Sequence, residues 1–243
     1  MPTDTNLQNR IDDCYTAFAD YSRPRMLEAA PTRDPRALLA TLTSAPLRAL
    51  TPEQIGPYAG WAMTTVGGVD DYRHFLPRIL ELATFCHSQP GLDPPFIAGK
   101  LGYAGWPTWP PDERKAVLGL FAEAWRAGLW RHPDEVDSSG WIAAIALLGG
   151  DLDGALAAWL STPSPNAALH LAAFFQGEAE SLIRKPRNVA YWGNVDDDTI
   201  DRMQRWLRGE EPRQLLLNAR GLAEPKDEWL LDSALLVVNA VTP

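Results

Sequence analysis

Residues 111–130, PDERKAVLGLFAEAWRAGLW, form the clearest helix in the sequence. Asp112 and Glu113 lie in its first turn and Arg126 lies near its end, so the charges at both ends suit the helix dipole. Helical periodicity extends over most of the chain, whereas alternating runs bounded by hairpin turns are absent. The sequence therefore predicts an all-α protein with no substantial sheet.

Proline, glycine and serine breaks divide the rest of the chain into shorter amphipathic segments. Helices are predicted at about residues 6–21, 35–42, 51–65, 93–103, 141–148, 152–160, 166–177, 196–208, 212–222 and 226–241. Residues 178–191 are the least periodic and are predicted to be a long loop. Because short connections place neighbouring helices antiparallel, we expect an irregular α-solenoid or HEAT-like stack. A single domain, 1–243, is predicted, with a subdivision near 178–191 left open.

Composition limits the classes of function. The 243 residues carry a formal net charge of −9 without a lysine- and arginine-rich stripe, which argues against a nucleic-acid partner. The longest apolar run, Trp141 to Leu148, is too short to span a membrane, and no signal-peptide pattern opens the chain. Cys14 and Cys86 are expected to be separate buried thiols. We predict a cytoplasmic protein without a membrane partner.

The stretch V66-G-G-V-D-D-Y-R-H-F-L-P-R-I-L80 concentrates reactive residue types. On a helix, Asp70, Asp71 and His74 are three or four residues apart, so they could converge on a metal ion or form an acid–base pair. The companion motifs of such sites, among them H-E-x-x-H and G-x-S-x-G, are absent. No cofactor or metal is predicted, and a metal-dependent or acid/base hydrolase centred on these three residues is the alternative hypothesis.

A structural role explains the same residues more simply. Gly67 and Gly68 permit a tight turn, after which Asp70 or Asp71 can cap a helix. Pro77 predicts either a kink or the start of a new helix. Side chains near such a break often replace lost backbone hydrogen bonds. We therefore expect Arg73, His74 and Arg78 to bond to the aspartates or to freed carbonyls.

The segment W61-A-M-T-T-V-G-G-V-D-D-Y-R-H-F-L-P-R78 resembles a motif of uncharacterised bacterial all-helical proteins, W-x-x-x-T-x-G-x-V-D-D-[FY]-[KR]-H-F-L-P-R. The resemblance covers about these 18 residues and extends loosely to A-L-H-L-A172, Y-W192 and R-W-L207. It implies that the segment is one unit. It carries over no catalytic residue.

The ten tryptophans are expected mainly as core residues, with the proline-rich loop from Trp106 to Pro111 as the candidate for exposed aromatic surface. The first functional hypothesis is a non-enzymatic interaction protein, for which a basic protein is one candidate partner and an immunity- or antitoxin-like role one version. Its oligomeric state is left open. The predicted binding residues are Asp70, Asp71, Arg73, His74, Arg78, Trp106 and Trp109.

Overall fold

The computed structural model describes residues 3–85 and 89–241, with side chains described for residues 5–85 and 89–240. α-Helices make up most of this part of the chain, and its only β-structure is a pair of isolated bridges that join Val66 to Ala29 and to Ala62. The all-α prediction without a substantial sheet is therefore confirmed. In the described ranges, no helix is both long and apolar enough to cross a membrane.

The chain forms two compact units, Met1–Glu123 and Ala124–Pro243, and the division falls within α6. The helices up to that division are α1 (Thr3–Ala17), α2 (Pro35–Leu42), α3 (Pro52–Trp61), α4 (Val69–Ala83), α5 (Pro94–Tyr103) and α6 (Pro111–Gly128). Those after it are α7 (Ser139–Leu147), α8 (Leu152–Ser161), α9 (Pro165–Phe174), α10 (Glu180–Arg184), α11 (Asp197–Leu207), α12 (Glu210–Ala219) and α13 (Glu228–Val241). The single domain over 1–243 stays a prediction.

The first unit packs around α4. This helix contacts α1 and α3, and α3 in turn contacts α2. The predicted inner face of α4 is buried, with Tyr72, Leu76 and Ile79 all inaccessible to solvent. Cys14, on the inner face of α1, is also fully buried and free, as expected. Cys86 lies outside the described residues.

The second unit packs around α9, which contacts α8, α12 and α13. Its core contains a chain of aromatic rings. The ring of Trp159 lies 4.8 Å from Trp125, 5.7 Å from Phe174 and 5.5 Å from Trp206, measured between ring centroids. Such pairs add about 0.5–1.5 kcal/mol each beyond the apolar area they bury.

The predicted long loop at 178–191 is wrong. A π-helical turn, Phe175–Ala179, continues α9 directly into α10, and a 3₁₀ turn, Pro186–Asn188, follows. A π turn contains one more residue than an α turn, so the apolar pattern slips against the 3.6-residue period there. The buried Ala179, Leu182 and Ile183 then lie on a face that the sequence pattern did not reveal.

Candidate functional site

The two aspartates at the start of α4 have different roles. Asp71 Oδ2 accepts a hydrogen bond of 2.8 Å from the backbone N–H of Gly68, which confirms the predicted cap. Gly67 has a φ of 64°, and a Cβ there would meet Asp71 Oδ2 at 2.9 Å, so the turn requires glycine. The side chain of Asp70 is 84% exposed, and its carboxylate lies 3.7 Å from Arg73.

His74 and Arg78 bond to carbonyls, as predicted, but the carbonyls belong to distant segments. His74 Nδ1 lies 2.8 Å from the carbonyl oxygen of Tyr21, and Arg78 Nε donates to that of Leu50 at 2.8 Å. α4 continues through Pro77 from Val69 to Ala83, so of the two predicted alternatives the start of a new helix at Pro77 is wrong. These side chains therefore fasten α4 to the two chain segments that precede α2 and α3.

Arg73 belongs to a cluster that the sequence did not predict. Its guanidinium carbon lies 4.2 Å from the ring centroid of Trp109 and 5.1 Å from that of Tyr21. Its Nε is 3.6 Å from Glu113 Oε2, while Glu113 Oε1 accepts a 2.6 Å hydrogen bond from the Tyr21 hydroxyl. Burial, reinforced by this hydrogen bond, raises the pKa of Tyr21 to about 12, so the phenol keeps its proton. The charges of Arg73 and Glu113 thus face each other, and we call these four residues the Arg73 cluster.

The proline-rich segment before α6 does not present aromatic surface, contrary to the expectation. Trp106 is 4% exposed and Trp109 is 2% exposed. Trp109 Nε1 donates to the carbonyl of Ala104 at 3.0 Å, and the two indole rings lie 5.6 Å apart. Prolines hold the backbone of this segment so that both indoles turn into the core of the first unit.

These contacts concern the residues of the alternative hypothesis, a hydrolase centred on Asp70, Asp71 and His74. Asp71, His74 and Arg78 are each bound to backbone groups. Across the described ranges, no group of three or more histidine, cysteine, aspartate or glutamate side chains could hold a metal ion. Asp71, His74 and Arg78 of α4 therefore have structural roles.

An exposed apolar face on α13 was missed by the sequence analysis. Trp229 is 62% exposed and Leu236 is 72% exposed, and their spacing of seven residues places them on one side of the helix. The opposite side, including Leu231, Ala234 and Val238, is fully buried. An apolar groove of about 330 Å³ adjoins this face, and it is lined by Arg213, Leu217, Arg220, Asp232, Leu235, Leu236 and Asn239. We call Trp229, Leu236 and this groove the α13 surface.

A cavity of about 280 Å³ lies within the second unit beside the π turn. Its aromatic walls are Trp125, Trp159 and Phe174, and carboxylate and histidine side chains supply most of its polar wall. π turns inside helices occur frequently at functional sites, because the extra residue redirects side chains and frees backbone groups. Here the turn contributes Gly177 and Glu178 to the cavity.

Three titratable residues line this cavity. Burial raises the pKa of Glu178, and a 3.0 Å hydrogen bond from Trp192 Nε1 opposes that shift. Burial lowers the pKa of His170, whose Nε2 is 3.1 Å from the carbonyl oxygens of both Gly128 and Arg131. Asp137, the third, accepts from the hydroxyl of Ser139 at 2.7 Å. His170 is therefore a buried, hydrogen-bonded side chain.

The helical periodicity of the sequence did not indicate the cavity. His170 and the Glu178 carboxylate are eight residues apart, which on an uninterrupted α-helix would place them about 80° apart around the axis. The π turn between them changes that angle and cannot be recognised from periodicity. In contrast, Trp229 and Leu236 fit the helical pattern of α13 so well that core and surface positions looked alike.

In comparisons with known proteins, no family model matches the sequence, and neither a curated protein nor a solved structure is significantly similar to it. The resemblance of residues 61–78 to a motif of uncharacterised bacterial proteins therefore stays a prediction.

Proposed function

We propose that the protein is a non-enzymatic protein–protein interaction module of the cytoplasm, and that its α13 surface docks a basic partner protein. The observation that carries the proposal is the exposure of Trp229 and Leu236 on a helix whose other side is buried. The inner face already anchors α13, so folding does not require the outer apolar residues. Tryptophan is among the residues that most often dominate the binding energy of an interface.

Charge supports a basic partner. Residues 124–243 contain 17 acidic and 11 basic residues, so their formal net charge is −6 out of −9 for the chain. On α13 itself, Glu228 is exposed beside Trp229, while the exposed Asp232 is paired with Arg220 at 2.9 Å. Complementary fields accelerate association and favour partners of opposite charge. An immunity- or antitoxin-like protein that binds a basic toxin is the more specific version of this proposal.

Site-specific photo-cross-linking tests the proposal. Benzoylphenylalanine replaces Trp229 in one variant and the equally exposed Tyr103 of the first unit in a control variant. After irradiation in the native host, we expect a basic protein to be cross-linked at position 229 and not at position 103. A cross-link to a second copy of the chain, or to an acidic protein, contradicts the proposal.

Affinity measurements on the purified partner complete the test. Trp229→Ala should weaken its binding tenfold or more, about 1.4 kcal/mol, because a central aromatic anchor is removed. Tyr103→Ala should leave the Kd unchanged. Raising the salt concentration should slow association if opposite charges steer the partner. An unchanged Kd for Trp229→Ala rejects the α13 surface as the docking site.

A further inference from the structure

The cavity beside the π turn has unequal numbers of hydrogen-bond donors and acceptors. Its donors are already used inside the protein. The indole N–H groups of Trp125 and Trp159 donate to the carbonyls of Ala155 and Ala167, each at 2.9 Å, and the Ser139 hydroxyl donates to Asp137. A ligand that needs donors from the wall would therefore find these three occupied.

The acceptors, in contrast, retain capacity. Because two carbonyl oxygens lie near His170 Nε2, that nitrogen carries the proton, and in the neutral ring Nδ1 is an acceptor. Asp137 and Glu178 are the carboxylates of the cavity, and an ionised carboxylate offers about four acceptor positions. Asp137 Oδ1 accepts from the hydroxyl and the backbone N–H of Ser139, and Glu178 Oε2 accepts from Trp192 Nε1, which together fill only part of that capacity.

Charge and aromatic walls add to the same preference. The lining residues include two carboxylates but neither lysine nor arginine, and the one histidine is held neutral by burial. Trp125, Trp159 and Phe174 form the apolar wall. Aromatic rings attract cations through the negative charge of their faces, and this holds also at a cavity that opens to solvent, as this one does at Asp137 and Gly177.

From the donor–acceptor balance, the two carboxylates and the aromatic wall, we propose that this cavity binds a small organic cation that donates N–H hydrogen bonds, of the alkylammonium or guanidinium class. Asp137 and Glu178 would accept from the cationic group, and the indole and phenyl rings would cover its alkyl part. The volume of about 280 Å³ lies near the lower end of ligand cavities, so the ligand is compact. This proposal is independent of the α13 surface.

Calorimetric titration tests the proposed ligand class. The probes are n-butylammonium and n-butylguanidinium, and n-butanol and butyrate are the neutral and anionic controls. We expect saturable binding of a cation with a Kd of about 1 mM, as is typical of probes with so few heavy atoms. Equal binding of n-butanol, tighter binding of Ca²⁺ than of either cation, or no saturable binding overturns the proposal.

Two isosteric variants locate the binding site. Glu178→Gln keeps an oxygen for the Trp192 indole and removes the charge, so affinity should fall about tenfold. The control is Glu180→Gln, two residues away on α10, where the carboxylate is exposed and paired with Arg184 at 3.1 Å. Asp137→Asn should also weaken binding, and it serves as the second variant if Glu178→Gln does not fold. Equal affinities for Glu178→Gln and Glu180→Gln would mean non-specific binding to an acidic surface, which rejects the proposal.

An arginine peptide separates two sources of the same chemistry. N-acetyl-Gly-Arg-Gly-amide that binds tenfold more tightly than n-butylguanidinium identifies the cation as a side chain of another polypeptide. Equal or weaker binding of the peptide identifies a free small molecule. Both results support the proposed chemistry. The proposal is contradicted if the peptide and n-butylguanidinium both bind no more tightly than n-butanol.

Discussion

Helices α4 and α13 differ in how the fold uses their side chains. On α4, Asp71, His74 and Arg78 look reactive in the sequence, yet each bonds to a backbone group within the first unit. On α13, Trp229 and Leu236 look like core residues, yet both are largely exposed. Residue type alone misleads in both places. Residue type therefore does not show whether a side chain is bound within the fold or exposed to a partner.

The largest expected effect separates two tryptophans. Trp109→Ala should lower the free energy of unfolding by about 4 kcal/mol, because it leaves a cavity in the core and frees the Ala104 carbonyl. Trp229→Ala should change it by less than about 0.5 kcal/mol, because the side chain is exposed. Urea denaturation followed by circular dichroism measures both. Similar decreases in the free energy of unfolding for the two variants would contradict the contrast between the buried Trp109 and the exposed Trp229.

The second largest effect on the free energy of unfolding is expected in the Arg73 cluster. Glu113→Gln removes the charge that faces Arg73 and weakens the acceptor of the Tyr21 hydroxyl, so unfolding should become easier by about 3 kcal/mol. Asp112→Asn, on the exposed side of the same helical turn, is the matched control and should cost less than about 0.5 kcal/mol. Chemical denaturation of the two variants side by side provides the measurement. If Glu113→Gln left the free energy of unfolding unchanged, Arg73 would be stabilised by its aromatic contacts alone.

The neighbouring aspartates of α4 provide a smaller contrast. Asp71→Ala should lower the free energy of unfolding by about 1 kcal/mol through loss of the bond to Gly68. Asp70→Ala removes an exposed carboxylate 3.7 Å from Arg73 and should have an effect near zero. Thermal melts of both variants would compare them. If Asp70→Ala were the more destabilising, the assignment of the cap would be wrong.

The smallest expected effect concerns pH and the cavity of the second unit. The folded-state pKa of His170 is lowered, so the unfolded chain binds its proton first as the pH falls below about 6.5. This group therefore contributes stability above pH 6.5 that is lost on acidification. His170→Gln keeps a donor for the Gly128 carbonyl and should show a flatter decline between about pH 7 and 5. Asp137 and His132, which influence His170 electrostatically, are present in both proteins and cancel in the comparison. Parallel slopes would contradict the prediction.

The sequence predicted local features better than distant ones. The helix 35–42, the cap at Asp71 and the buried face of α4 depend on residues close in the chain, and all three were predicted. The partners of His74 and Arg73 lie far away in the sequence, at Tyr21 and Glu113, and nothing in a local pattern indicates them. The cavity was missed for the same kind of reason, because a π turn has no known periodic signature.

Residues 69–71 and 195–197 both read Val-Asp-Asp, yet their aspartates cap the following helices in different ways. In α11, Asp196 precedes the helix and its Oδ1 accepts from the N–H of Thr199 at 2.9 Å. In α4, Asp71 lies inside the first turn and reaches back to Gly68. Both carboxylates lie at the start of a helix, but Asp196 is the N-cap residue whereas the N-cap of α4 is Gly68. Sequence similarity here reflects shared capping chemistry.

The fully buried Cys14 of α1 allows local unfolding of the first unit to be measured by alkylation. Burial raises the pKa of its thiol to about 12, and only the thiolate reacts rapidly with alkylating reagents. Iodoacetamide should therefore modify Cys14 only in molecules whose α1 has separated from α4. Peptide mass mapping resolves this site from Cys86. The rate of Cys14 modification thus measures local unfolding without an introduced label.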